Sequence, residues 1–507
     1  MPGMNETGLS LQQLLPEPQF INCCDIAVLR VSTDSRSVVP GDVFIAVAGS
    51  TFDGHSFIDE AIAGGATAIV VQRRIEHATV PQCVVSCAAT AHAVISMALA
   101  VGQQQLTTVA GVTGTNGKTT TSWMLRSILE SAGHRTGLVG TICMNDGLDS
   151  SPSSLTTPSA GILADHFRRM KLALTSHCAI EISSHALVQK RCAGIQLSAA
   201  AITNVTQDHY DYHGTAEAYQ SAKADIAGLL YPDAPLLLNA DDPGCRRITE
   251  RFDNEARIVT YGIDNSEAEL QSTVLRRTHR SQRVRLNLAQ GDAEFRLRLI
   301  GQHNVSNCLA AAGLAEQLGI SLAHIVDGLE ALHAVPGRVE RIDEGQAFQV
   351  LVDYAHTPDA LAQCLNAVRD FVPGRLICVF GAGGERDRSK RPLMARAATA
   401  ADVVIVTSDN PRSEDPGQII TDITDGFSAD AVYASEVDRH EAISVALSQA
   451  EPGDMVVVAG RGHEHSQQTA GAVLSFDDRE VVRKLLRATD STTVDDLQPR
   501  FSVQRSA

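Results

Sequence analysis

Short apolar runs alternate with helix-like stretches from the beginning of this chain. Residues 42–47 and 68–71 are apolar enough for buried strands, and residues 56–63 have the spacing of an amphipathic helix. Strands that alternate with helices are typical of α/β proteins, because each crossover helix covers one face of a parallel sheet. We therefore predict a small α/β domain over residues 1–104.

A longer series of apolar runs begins near residue 105. Five runs have the length of strands, with helix-like segments between them: residues 110–113, 135–142, 178–182, 199–205 and 235–239. This rhythm predicts a central domain over residues 105–335, a P-loop-type domain built on a mainly parallel sheet with flanking helices. Ligands of such sheets bind at the carboxyl ends of the strands.

The same rhythm returns after Val335, Pro336 and Gly337. The strand-like runs here are residues 349–353, 375–380, 402–407 and 455–459. They predict a third, Rossmann-like domain over residues 336–507, in which residues 488–507 are polar enough for a loose tail. The fold class is therefore α/β with three domains.

A glycine-rich loop follows the first strand of the central domain and carries the clearest chemical signal. Its sequence is Gly114-Thr115-Asn116-Gly117-Lys118-Thr119-Thr120. Glycines let backbone N–H groups point at phosphate oxygens, while Lys118 supplies a charge and Thr119 a hydroxyl for Mg²⁺. The glycine spacing is shorter than in Gly-x4-Gly-Lys-Thr loops. A plain glycine turn with a solvated lysine is the alternative.

Composition limits the partners. The chain of 507 residues has 42 basic and 59 acidic residues and a net charge of −17, which disfavours binding to a nucleic-acid backbone. Its 11 cysteines are scattered without a Cys-x2-Cys pair, which fits reduced thiols rather than disulfides or structural zinc. We find neither a basic leader nor a long apolar run, so we expect a cytoplasmic protein without membrane insertion.

Two segments of the central domain suggest metal chemistry. Glu181 ends a strand-like run beside the phosphate loop, where a carboxylate is well placed for Mg²⁺; a plain capping role is the alternative. The loop 208–214 contains two acids and two histidines after another such run. It indicates a metal or phosphate site, with a solvated polar loop as the alternative.

Several polar residues have ordinary structural explanations on the sequence alone. Lys223 lies in a helix-like stretch, where most lysines are solvated charges. Asn304 and Asn307 are typical helix-capping residues, with nucleotide contact as the alternative. Arg338 and Asp353 lie where the central and third domains are expected to meet, so domain closure would bring them to the phosphate loop.

Basic residues concentrate in three loops of the third domain, although the whole chain is acidic. The loops are residues 381–391, 409–412 and 460–464, each after a strand-like run and shaped by glycine or proline. A solvated face is one explanation. The other is a pocket that binds a carboxylate through arginine and an ammonium group through glutamate, which implies a zwitterion such as an amino acid.

Six motifs, in this order along almost the whole chain, resemble the Mur ligase family. They are residues 114–120, 181–185, 208–214, 301–307, 353–361 and 409–412. The resemblance implies an ATP-dependent amide ligase of peptidoglycan precursor synthesis. In the members that it matches, ATP phosphorylates the D-glutamate carboxylate of UDP-N-acetylmuramoyl-L-alanyl-D-glutamate, and the amine of meso-2,6-diaminopimelate then attacks this acyl phosphate.

The resemblance also implies roles for residues at matching positions. ATP would be bound by the phosphate loop together with Asn304, Asn307, Arg338 and Asp353. Thr119 and Glu181 would hold one Mg²⁺, and His209 with a carbamylated Lys223 would hold a second. The implied catalytic set is Lys118, Glu181, His209, Lys223, Arg338 and Asp353. Carbamylation turns a lysine, whose usual pKa is about 10.4, from a cation into an anion.

The substrate contacts are carried over in the same way. Contacts to the UDP-sugar fall on Thr33, Ser35, Ser50, Thr51 and Phe52 in the first domain, where ordinary turns are the alternative, and on Thr156, Thr157, Ser183, Gln189 and Arg191 in the second. The amino-acid contacts fall on Arg386, Asp409, Asn410, Pro411, Arg412, Gly460 and Glu464. The fork of Arg412 would pair with the distal carboxylate of diaminopimelate and would repel the ammonium group of lysine.

The sequence departs from the family pattern at Leu155, Gln207, Tyr210 and Arg461, the last of which is lysine in many relatives. Within the fold, a lysine-adding relative or a folylpolyglutamate synthase is the alternative; the first would lack Arg412 and the second the UDP-sugar contacts. A nucleotide-dependent switch is a third alternative, but the Asn-Lys-x-Asp motif of GTPases is absent from the sequence. We expect a monomer.

Overall fold

The structure is a computed structural model of the 507-residue chain and describes residues 8–49, 52–102, 105, 107–252, 257–489 and 504–505. In this part of the chain, three sheets of five, eleven and seven strands carry the helices, and two further pairs of strands lie beside them. No helix in these ranges is both long and apolar enough to cross a bilayer.

The first sheet is formed by short strands near the N-terminus. The elements are β1 (Leu9–Ser10), α1 (Leu11–Leu14), β2 (Gln19–Ile21), β3 (Ala27–Val28), β4 (Val31–Ser32), β5 (Val43–Ile45), α2 (Ile58–Ala63), β6 (Ala68–Val71), β7 (Gln82–Val84) and α3 (Ala88–Val101). Strands β4 to β7 pair in parallel, and β2 is antiparallel to β7. The predicted strand 42–47 is shorter, because the Asp42 carboxylate belongs to a turn, where it accepts the Val39 N–H.

The second sheet is the largest. Its region contains β8 (Thr108–Thr113), α4 (Lys118–Ser131), β9 (Thr136–Val139), β10 (Cys143–Asn145), β11 (Ser150–Pro152), α5 (Ala160–Leu172), β12 (His177–Glu181), α6 (Ser184–Val188), β13 (Ala199–Ile202), α7 (Tyr210–His213), α8 (Ala216–Ala224), β14 (Pro235–Asn239), α9 (Pro243–Thr249), β15 (Arg257–Gly262), β16 (Leu270–Arg277), β17 (Gln282–Leu288), β18 (Gly291–Leu297), α10 (Gln302–Gln317) and α11 (Leu322–Ala331).

The strand order in this sheet is β11-β10-β9-β12-β8-β13-β14-β15-β16-β17-β18. The seven strands from β9 to β16 pair in parallel, as the strand–helix rhythm predicts, and only the two ends of the sheet are antiparallel. Apolar clusters cover both faces, one with Leu125 and Leu309 and the other with Phe167 and Ile180. This double cover explains why the central strands are continuous apolar runs.

Two predicted strands end earlier in the structure. The run 199–205 is a strand only to Ile202, because Thr203 and Asn204 turn towards the phosphate loop. The run 135–142 ends at Val139, after which a Cβ on Gly140 would collide with the Glu181 carboxylate. Strands β15 to β18 are not among the predicted strands, although in β17 every second residue is buried and those between are exposed or half-buried, the signal of a half-exposed sheet.

The third sheet lies in the C-terminal region. The elements are β19 (Glu340–Ile342), β20 (Gln349–Asp353), α12 (Pro358–Arg369), β21 (Leu376–Phe380), α13 (Lys390–Ala398), β22 (Val403–Thr407), α14 (Pro416–Thr424), β23 (Val432–Glu436), α15 (Arg439–Gln449), β24 (Met455–Ala459), β25 (Ser466–Thr469), β26 (Ala472–Ser475), α16 (Asp478–Thr489) and β27 (Gln504–Arg505).

The order of the third sheet is β19-β20-β24-β21-β22-β23-β27, and the strands from β20 to β23 are parallel. A parallel sheet of this kind binds ligands outside the carboxyl ends of its strands. The loose tail expected at 488–507 is wrong for Gln504–Arg505, which pair with β23. The rest of that tail from residue 490 lies outside the described residues.

Candidate active site

The phosphate loop connects β8 to α4 and requires both of its glycines. Gly114 and Gly117 have φ angles of 149° and 89°, a region that side chains disfavour. A Cβ on Gly114 would collide with Thr203 Oγ1, and one on Gly117 would collide with Asn307 Oδ1. The loop backbone therefore contacts the end of β13 on one side and α10 on the other.

Three side chains that the sequence analysis missed hold this loop in place. Thr203 Oγ1 donates to the Asn116 carbonyl at 2.5 Å, and Asn204 Oδ1 accepts the Asn116 N–H at 2.8 Å. The Tyr219 hydroxyl lies 3.1 Å from Thr115 Oγ1. Both Thr203 and Asn204 lie inside the predicted strand 199–205, which ends at Ile202 in the structure, so strand-end reasoning from the sequence did not select them.

Lys118 lies over the loop that precedes it. Its Nζ donates to the carbonyls of Gly114 and Thr115, at 2.8 and 2.9 Å. Burial lowers the pKa of Lys118, and the negative charges of Glu181 and Asp208 act in the opposite direction. A cation among inward-facing backbone groups at a helix N-terminus is the donor set that binds phosphate.

The Glu181 carboxylate is completely buried at the end of β12 and is bound by uncharged donors. Thr119 Oγ1 and Thr141 Oγ1 donate to Oε2 at 2.8 and 2.9 Å, and the Thr141 N–H donates to Oε1 at 3.0 Å. Among the described residues Glu181 forms no ion pair, and a buried charge without one is costly. Because carboxylate and hydroxyl oxygens are preferred ligands of Mg²⁺, Thr119 and Glu181 fit such an ion.

Lys223 and His209 pack around Tyr219, close to the phosphate loop. Lys223 is 1% exposed, and its Nζ lies 4.3 Å from the centre of the Tyr219 ring. Burial lowers the pKa of Lys223 well below its usual value, and the charge of Lys118 lowers it further. This environment favours the uncharged amine.

The histidines of this region are also kept neutral. Burial lowers the pKa of His185 and of His209 to about 4, so both imidazoles are uncharged near pH 7, the form that binds metals. His209 Nε2 lies 3.4 Å from Asp208 Oδ2. Nowhere in the described ranges do three or more His, Cys, Asp or Glu form a metal-binding group.

Asn304 and Asn307 do not cap α10, so the interpretation of these residues as helix caps is wrong. The N-cap is Gly301, and both asparagines are buried in the first two turns. Asn307 Nδ2 donates to Asn304 Oδ1 at 3.3 Å, while Asn307 Oδ1 adjoins Gly117 of the phosphate loop. The structure thus brings these two amides to the loop.

Arg338 reaches the phosphate loop from the connection between the second and third sheets. Its Nη2 donates to Thr119 Oγ1 at 3.2 Å, and its guanidinium carbon lies 4.3 Å from the centre of the Tyr354 ring. Among the described residues, no hydrogen bond joins Asp353 to the loop. Its carboxylate accepts the backbone N–H groups of Val339, at 2.6 Å, and Ala355, at 2.8 Å, and so fixes the chain next to Arg338.

The connection between the second and third sheets contacts the 460–464 loop through two glycines. Gly337 and Gly462 have φ angles of 64° and 53°. A Cβ on Gly337 would collide with the backbone of Gly462 and His463, and one on Gly462 would lie 2.7 Å from Gly337 O and from Tyr354 Cβ. We call this contact the glycine junction. It links the loop of the third domain to the turn that carries Arg338.

The central-domain residues that are predicted to contact the UDP-sugar lie together, beside Glu181. Thr157 Oγ1 donates to the Glu181 carbonyl at 2.9 Å and accepts the Ser183 N–H at 2.9 Å. Arg191 donates to the Thr157 carbonyl and to Gln189 Oε1, and Thr156 Oγ1 lies 3.1 Å from Thr141 Oγ1.

The first-domain residues that are predicted to contact the UDP-sugar lie in a separate part of the described structure. Ser35 Oγ donates to Glu60 Oε2 at 2.9 Å, and Phe52 is 70% exposed. Among the described residues, no hydrogen bond connects Thr33, Ser35 or Phe52 to the central set. Ser50 and Thr51 lie outside the described residues.

Two arginines of the third domain lie side by side. Both adjoin Gly383, where a Cβ would lie 3.4 Å from Arg412 Nη1 and 3.7 Å from Arg386 Cγ. Arg412 also donates to the Gly384 carbonyl. A Cβ on Gly384 would collide with the Pro411 carbonyl. Burial, and next the charge of Arg386, lower the pKa of Arg412. Two neighbouring arginines fit a carboxylate.

Two acidic groups, Asp409 and Glu464, lie near Arg412, and their charges oppose the lowering of its pKa. Asp409 Oδ2 is buried without a hydrogen-bond partner among the described residues, and a Cβ on Gly460 would lie 2.7 Å from it. Burial and the charge of Asp409 raise the pKa of Glu464, whose Oε2 accepts Asn410 Nδ2 at 2.8 Å. An unpartnered carboxylate beside a second acid fits an ammonium group.

Arg461, one of the four departures from the family pattern, is fully buried beside Asp409 and Asn410. Its guanidinium donates to Asn410 Oδ1 at 3.0 Å and to the carbonyls of Asp409, Ser466 and Phe476. A lysine offers no such planar fork, so arginine at this position has a structural reason. Leu155 is exposed, Gln207 is exposed, and Tyr210 packs 6.3 Å from the Tyr219 ring.

Acidification from pH 7 to 5 is expected to lower the free energy of unfolding by about 2 kcal/mol through His463 alone. Burial and the charge of Arg338 lower the pKa of this side chain to about 3, against about 6.5 in the unfolded chain. The unfolded state therefore takes up a proton below pH 6.5 that the folded state does not, and stability is lost as the pH falls towards 3. Urea unfolding at pH 7, 6 and 5 measures this loss.

In the His463→Gln variant, the free energy of unfolding should fall by about 2 kcal/mol less between pH 7 and 5 than in the unsubstituted protein. His333→Gln, at an exposed position, should follow the unsubstituted protein. If the His463→Gln curve runs parallel to that of the unsubstituted protein, His463 is not the neutral buried group described above.

Family models match three successive parts of the chain. Residues 28–106 match "Mur ligase family, catalytic domain", residues 112–315 match "Mur ligase middle domain", and residues 337–462 match "Mur ligase, glutamate ligase domain". Curated relatives in Geobacillus thermodenitrificans and Gloeobacter violaceus are 41% and 42% identical over 474 residues. These alignments cover 91% and 92% of this chain and 95% of each relative, and both are named UDP-N-acetylmuramoyl-L-alanyl-D-glutamate–2,6-diaminopimelate ligase.

Solved structures agree in fold. A UDP-N-acetylmuramoyl-L-alanyl-D-glutamate–2,6-diaminopimelate ligase is 33% identical, with a TM-score of 0.67 over 96% of this chain and 100% of that one. The MurF ligase of Thermotoga maritima in complex with ADP has a TM-score of 0.61 at 20% identity over 90% and 96% of the two chains. A folylpolyglutamate synthase of Mycobacterium tuberculosis has a TM-score of 0.60 at 18% identity, over 80% of this chain and 96% of its own, and shares the fold alone.

Proposed function

This chain belongs to the Mur ligase family, and we propose that it joins meso-2,6-diaminopimelate to the D-glutamate carboxylate of UDP-N-acetylmuramoyl-L-alanyl-D-glutamate at the expense of ATP. The glycine junction is the observation that supports this best. Through it, the loop that carries Glu464 is in contact with the turn from which Arg338 donates to Thr119. These contacts support one site in which a nucleotide-binding loop and a pocket for a zwitterion act together, as a ligase requires.

Charge neutralisation is the main task of the central domain in this reaction, because an anionic carboxylate must approach an anionic triphosphate. We assign nucleotide binding to the phosphate loop with Thr120, Asn304, Asn307, Arg338 and Asp353. Lys118 supplies the cation, and the backbone N–H groups around Gly114 and Gly117 supply further donors. Arg338, 3.2 Å from Thr119 Oγ1, adds a second cation where charge moves during phosphoryl transfer.

Thr119 and Glu181 would hold one Mg²⁺, and His209 with a carbamylated Lys223 a second. When bound, the ions neutralise phosphate and carboxylate charge. The buried Glu181 carboxylate, bound by neutral donors, supports the first assignment. The depressed pKa of Lys223 supports the second, because only an uncharged amine combines with CO₂.

Carbon-13-labelled bicarbonate is expected to give a carbamate resonance that disappears in the Lys223→Met variant. Burial lowers the pKa of Lys223 and so favours the uncharged amine, whereas solvated lysines hold their protons near neutral pH. Lys171→Met is the matched control, because Lys171 is exposed on α5. A resonance of equal strength in Lys223→Met and Lys171→Met would mean that another group is modified.

The amino acid would bind between the two halves of the third-domain pocket. We assign its distal carboxylate to Arg386 and Arg412, and an ammonium group to Asp409 and Glu464, with Asn410, Pro411 and Gly460 shaping the walls. Lysine has no distal carboxylate, so its ammonium group would face two guanidinium groups. This difference makes diaminopimelate the preferred substrate.

The UDP-sugar would lie between the first and central domains. The central set at Thr156, Thr157, Ser183, Gln189 and Arg191 adjoins Glu181, which supports its assignment to the acceptor side. The first-domain set, Thr33, Ser35, Ser50, Thr51 and Phe52, rests on the resemblance. Closure of the first domain would bring Phe52, which is exposed, to the substrate.

We further propose domains over residues 1–104, 105–335 and 336–507, in agreement with three separate sheets and three family matches. One chain carries all parts of the proposed site, so we expect a monomer to be sufficient for activity. A reaction on a nucleotide-linked sugar with ATP also points to the cytoplasm, where it would serve cell-wall growth, cell shape and cell division.

The decisive experiment measures phosphate release and ligated product from the purified protein. ATP, Mg²⁺ and UDP-N-acetylmuramoyl-L-alanyl-D-glutamate are supplied with diaminopimelate, with L-lysine, or without an amino acid. Product with diaminopimelate alone is the expected result. Product with lysine would keep the ligase and overturn the specificity, and ATP hydrolysis that ignores the UDP-sugar would indicate a nucleotide switch.

A further inference from the structure

The antiparallel end of the large sheet has one buried and one exposed face. In β17 the residues Val284, Leu286 and Leu288 pack into the apolar cluster beneath α10 and α11, while Arg283 and Arg285 point outwards. β18 follows the same alternation, and β16 does so as far as Val274, after which its last three residues are all exposed. The exposed face therefore belongs to strands β16, β17 and β18, and it carries arginines on all three.

Three of these arginines lie in one row across the strands. Arg276 of β16 pairs with Arg283 of β17, which pairs with Arg296 of β18. A bulge at Leu275 produces this register by shifting the end of β16 by one residue. Adjacent strands are about 4.8 Å apart, and like charges directly opposite one another destabilise a sheet. We call Arg276, Arg283, Arg285, Arg296 and Arg298, all exposed, the arginine face.

Few acids compensate this charge within the face. Glu294 accepts hydrogen bonds from both Arg283 and Arg285, so one carboxylate serves two guanidinium groups. Arg296 Nε donates to the neutral Ser281 hydroxyl at 3.0 Å. Residues 270–300 contain seven arginines and two acids in a chain whose net charge is −17. The face is a local excess of positive charge on an acidic molecule.

We propose that the arginine face binds the anionic surface of a lipid bilayer. Each basic side chain at such a surface contributes about a fivefold gain in affinity, and clusters of four to eight are sufficient. A protein partner would need an apolar or aromatic anchor, and the only large apolar side chain exposed on the described strands β16 to β18 is Leu275. A nucleic-acid duplex would extend beyond the face over the acidic remainder of the molecule.

The position of the face is compatible with catalysis at the bilayer. Strands β13, β14, β15 and β16 separate β17 from β8, which leads into the phosphate loop. Docking through β16 to β18 therefore leaves the loop accessible. The remaining surface, which is acidic as a whole, would be repelled by the same lipids, so the charge distribution fixes one orientation.

Co-sedimentation with vesicles tests this inference independently of ligase activity. Vesicles of phosphatidylglycerol and phosphatidylcholine in a ratio of about 3:7 supply the anionic surface, and pure phosphatidylcholine supplies the neutral one. The full chain is expected to bind only the anionic vesicles at physiological salt. A triple variant with Arg276→Gln, Arg283→Gln and Arg296→Gln, which we call the row variant, is expected to bind the anionic vesicles about 100-fold more weakly.

The matched control removes three other exposed arginines, through Arg36→Gln, Arg74→Gln and Arg168→Gln. It has the same net charge as the row variant and should bind like the unsubstituted chain, because distant charges are screened. The single variant Arg276→Gln should bind anionic vesicles about fivefold more weakly. It keeps the test valid if the row variant does not fold. The row variant is expected to melt at the same temperature as the unsubstituted chain or at a higher one, because the substitutions remove the repulsion between the opposed arginines.

Four results would overturn the inference: no binding of the full chain to anionic vesicles, equal loss in the row variant and the control variant, undiminished binding of Arg276→Gln, or a short DNA duplex that displaces the vesicles. The last result would make the face a nucleic-acid surface.

Discussion

Replacing Lys118 by methionine is expected to lower the rate of ligation about 10³-fold, because one preorganised charge at a site of developing negative charge contributes 10²–10³-fold. Its Nζ is the cation of the phosphate loop, 2.8 Å from the Gly114 carbonyl. Methionine keeps the unbranched side chain and removes the charge. The loss should appear in the first half-reaction, measured as ADP formed in a single turnover with the UDP-sugar and without an amino acid.

A second lysine provides the comparison for this substitution. Lys484 is exposed on α16, and Lys484→Met should leave ADP formation unchanged. Thermal unfolding of both variants should be within a few degrees of that of the unsubstituted chain. Normal single-turnover ADP formation by Lys118→Met would show that the loop does not act on the transferred phosphate.

Replacing Arg412 by alanine is expected to lower kcat/KM for diaminopimelate about 10²-fold, while the KM for ATP changes by less than about twofold. Hydrogen bonds to charged groups contribute about 1.5–3 kcal/mol, and Arg412 lies beside Arg386 at Gly383. Its φ of 55° is the left-handed region, so alanine also keeps some local strain. Steady-state kinetics with each substrate varied in turn measures both constants.

Arg388 is the control for this second prediction. It lies in the same region of the third domain, is 68% exposed and pairs with Glu414. Arg388→Ala should leave the use of diaminopimelate nearly unchanged. If Arg412→Ala impaired the kinetic constants for ATP and for diaminopimelate equally, Arg412 would support the whole site and would not bind the amino acid.

The fold could be predicted where buried parallel strands produce continuous apolar runs. Strands β6, β14, β20 and β24 have the predicted bounds, because their residues are covered on both faces and polar substitutions would be costly there. Strands β15 to β18 could not be recognised from such runs. Arg283 and Arg285 interrupt every second position of β17, so the apolar signal is divided between residues that are not adjacent.

The candidate site was predictable to the extent that its residues follow strands or lie in a glycine-rich loop. Lys118 and Glu181 satisfy that criterion, and the structure places them close together. Thr141 could not be found in this way, because it contributes to the Glu181 site after β9 has turned at Gly140. Asp359 reaches Asn116 at 3.0 Å from α12, a contact between distant segments that only the packed domains determine.

The glycine junction offers a target for inhibition. A rigid compound that separated the turns at Gly337 and Gly462 would withdraw Arg338 from Thr119 and displace the loop of Glu464 at the same time. It would not need to compete with cellular ATP for the phosphate loop. Resistance through substitution would be difficult, because a side chain at either glycine collides with the opposite turn and would itself impair the enzyme.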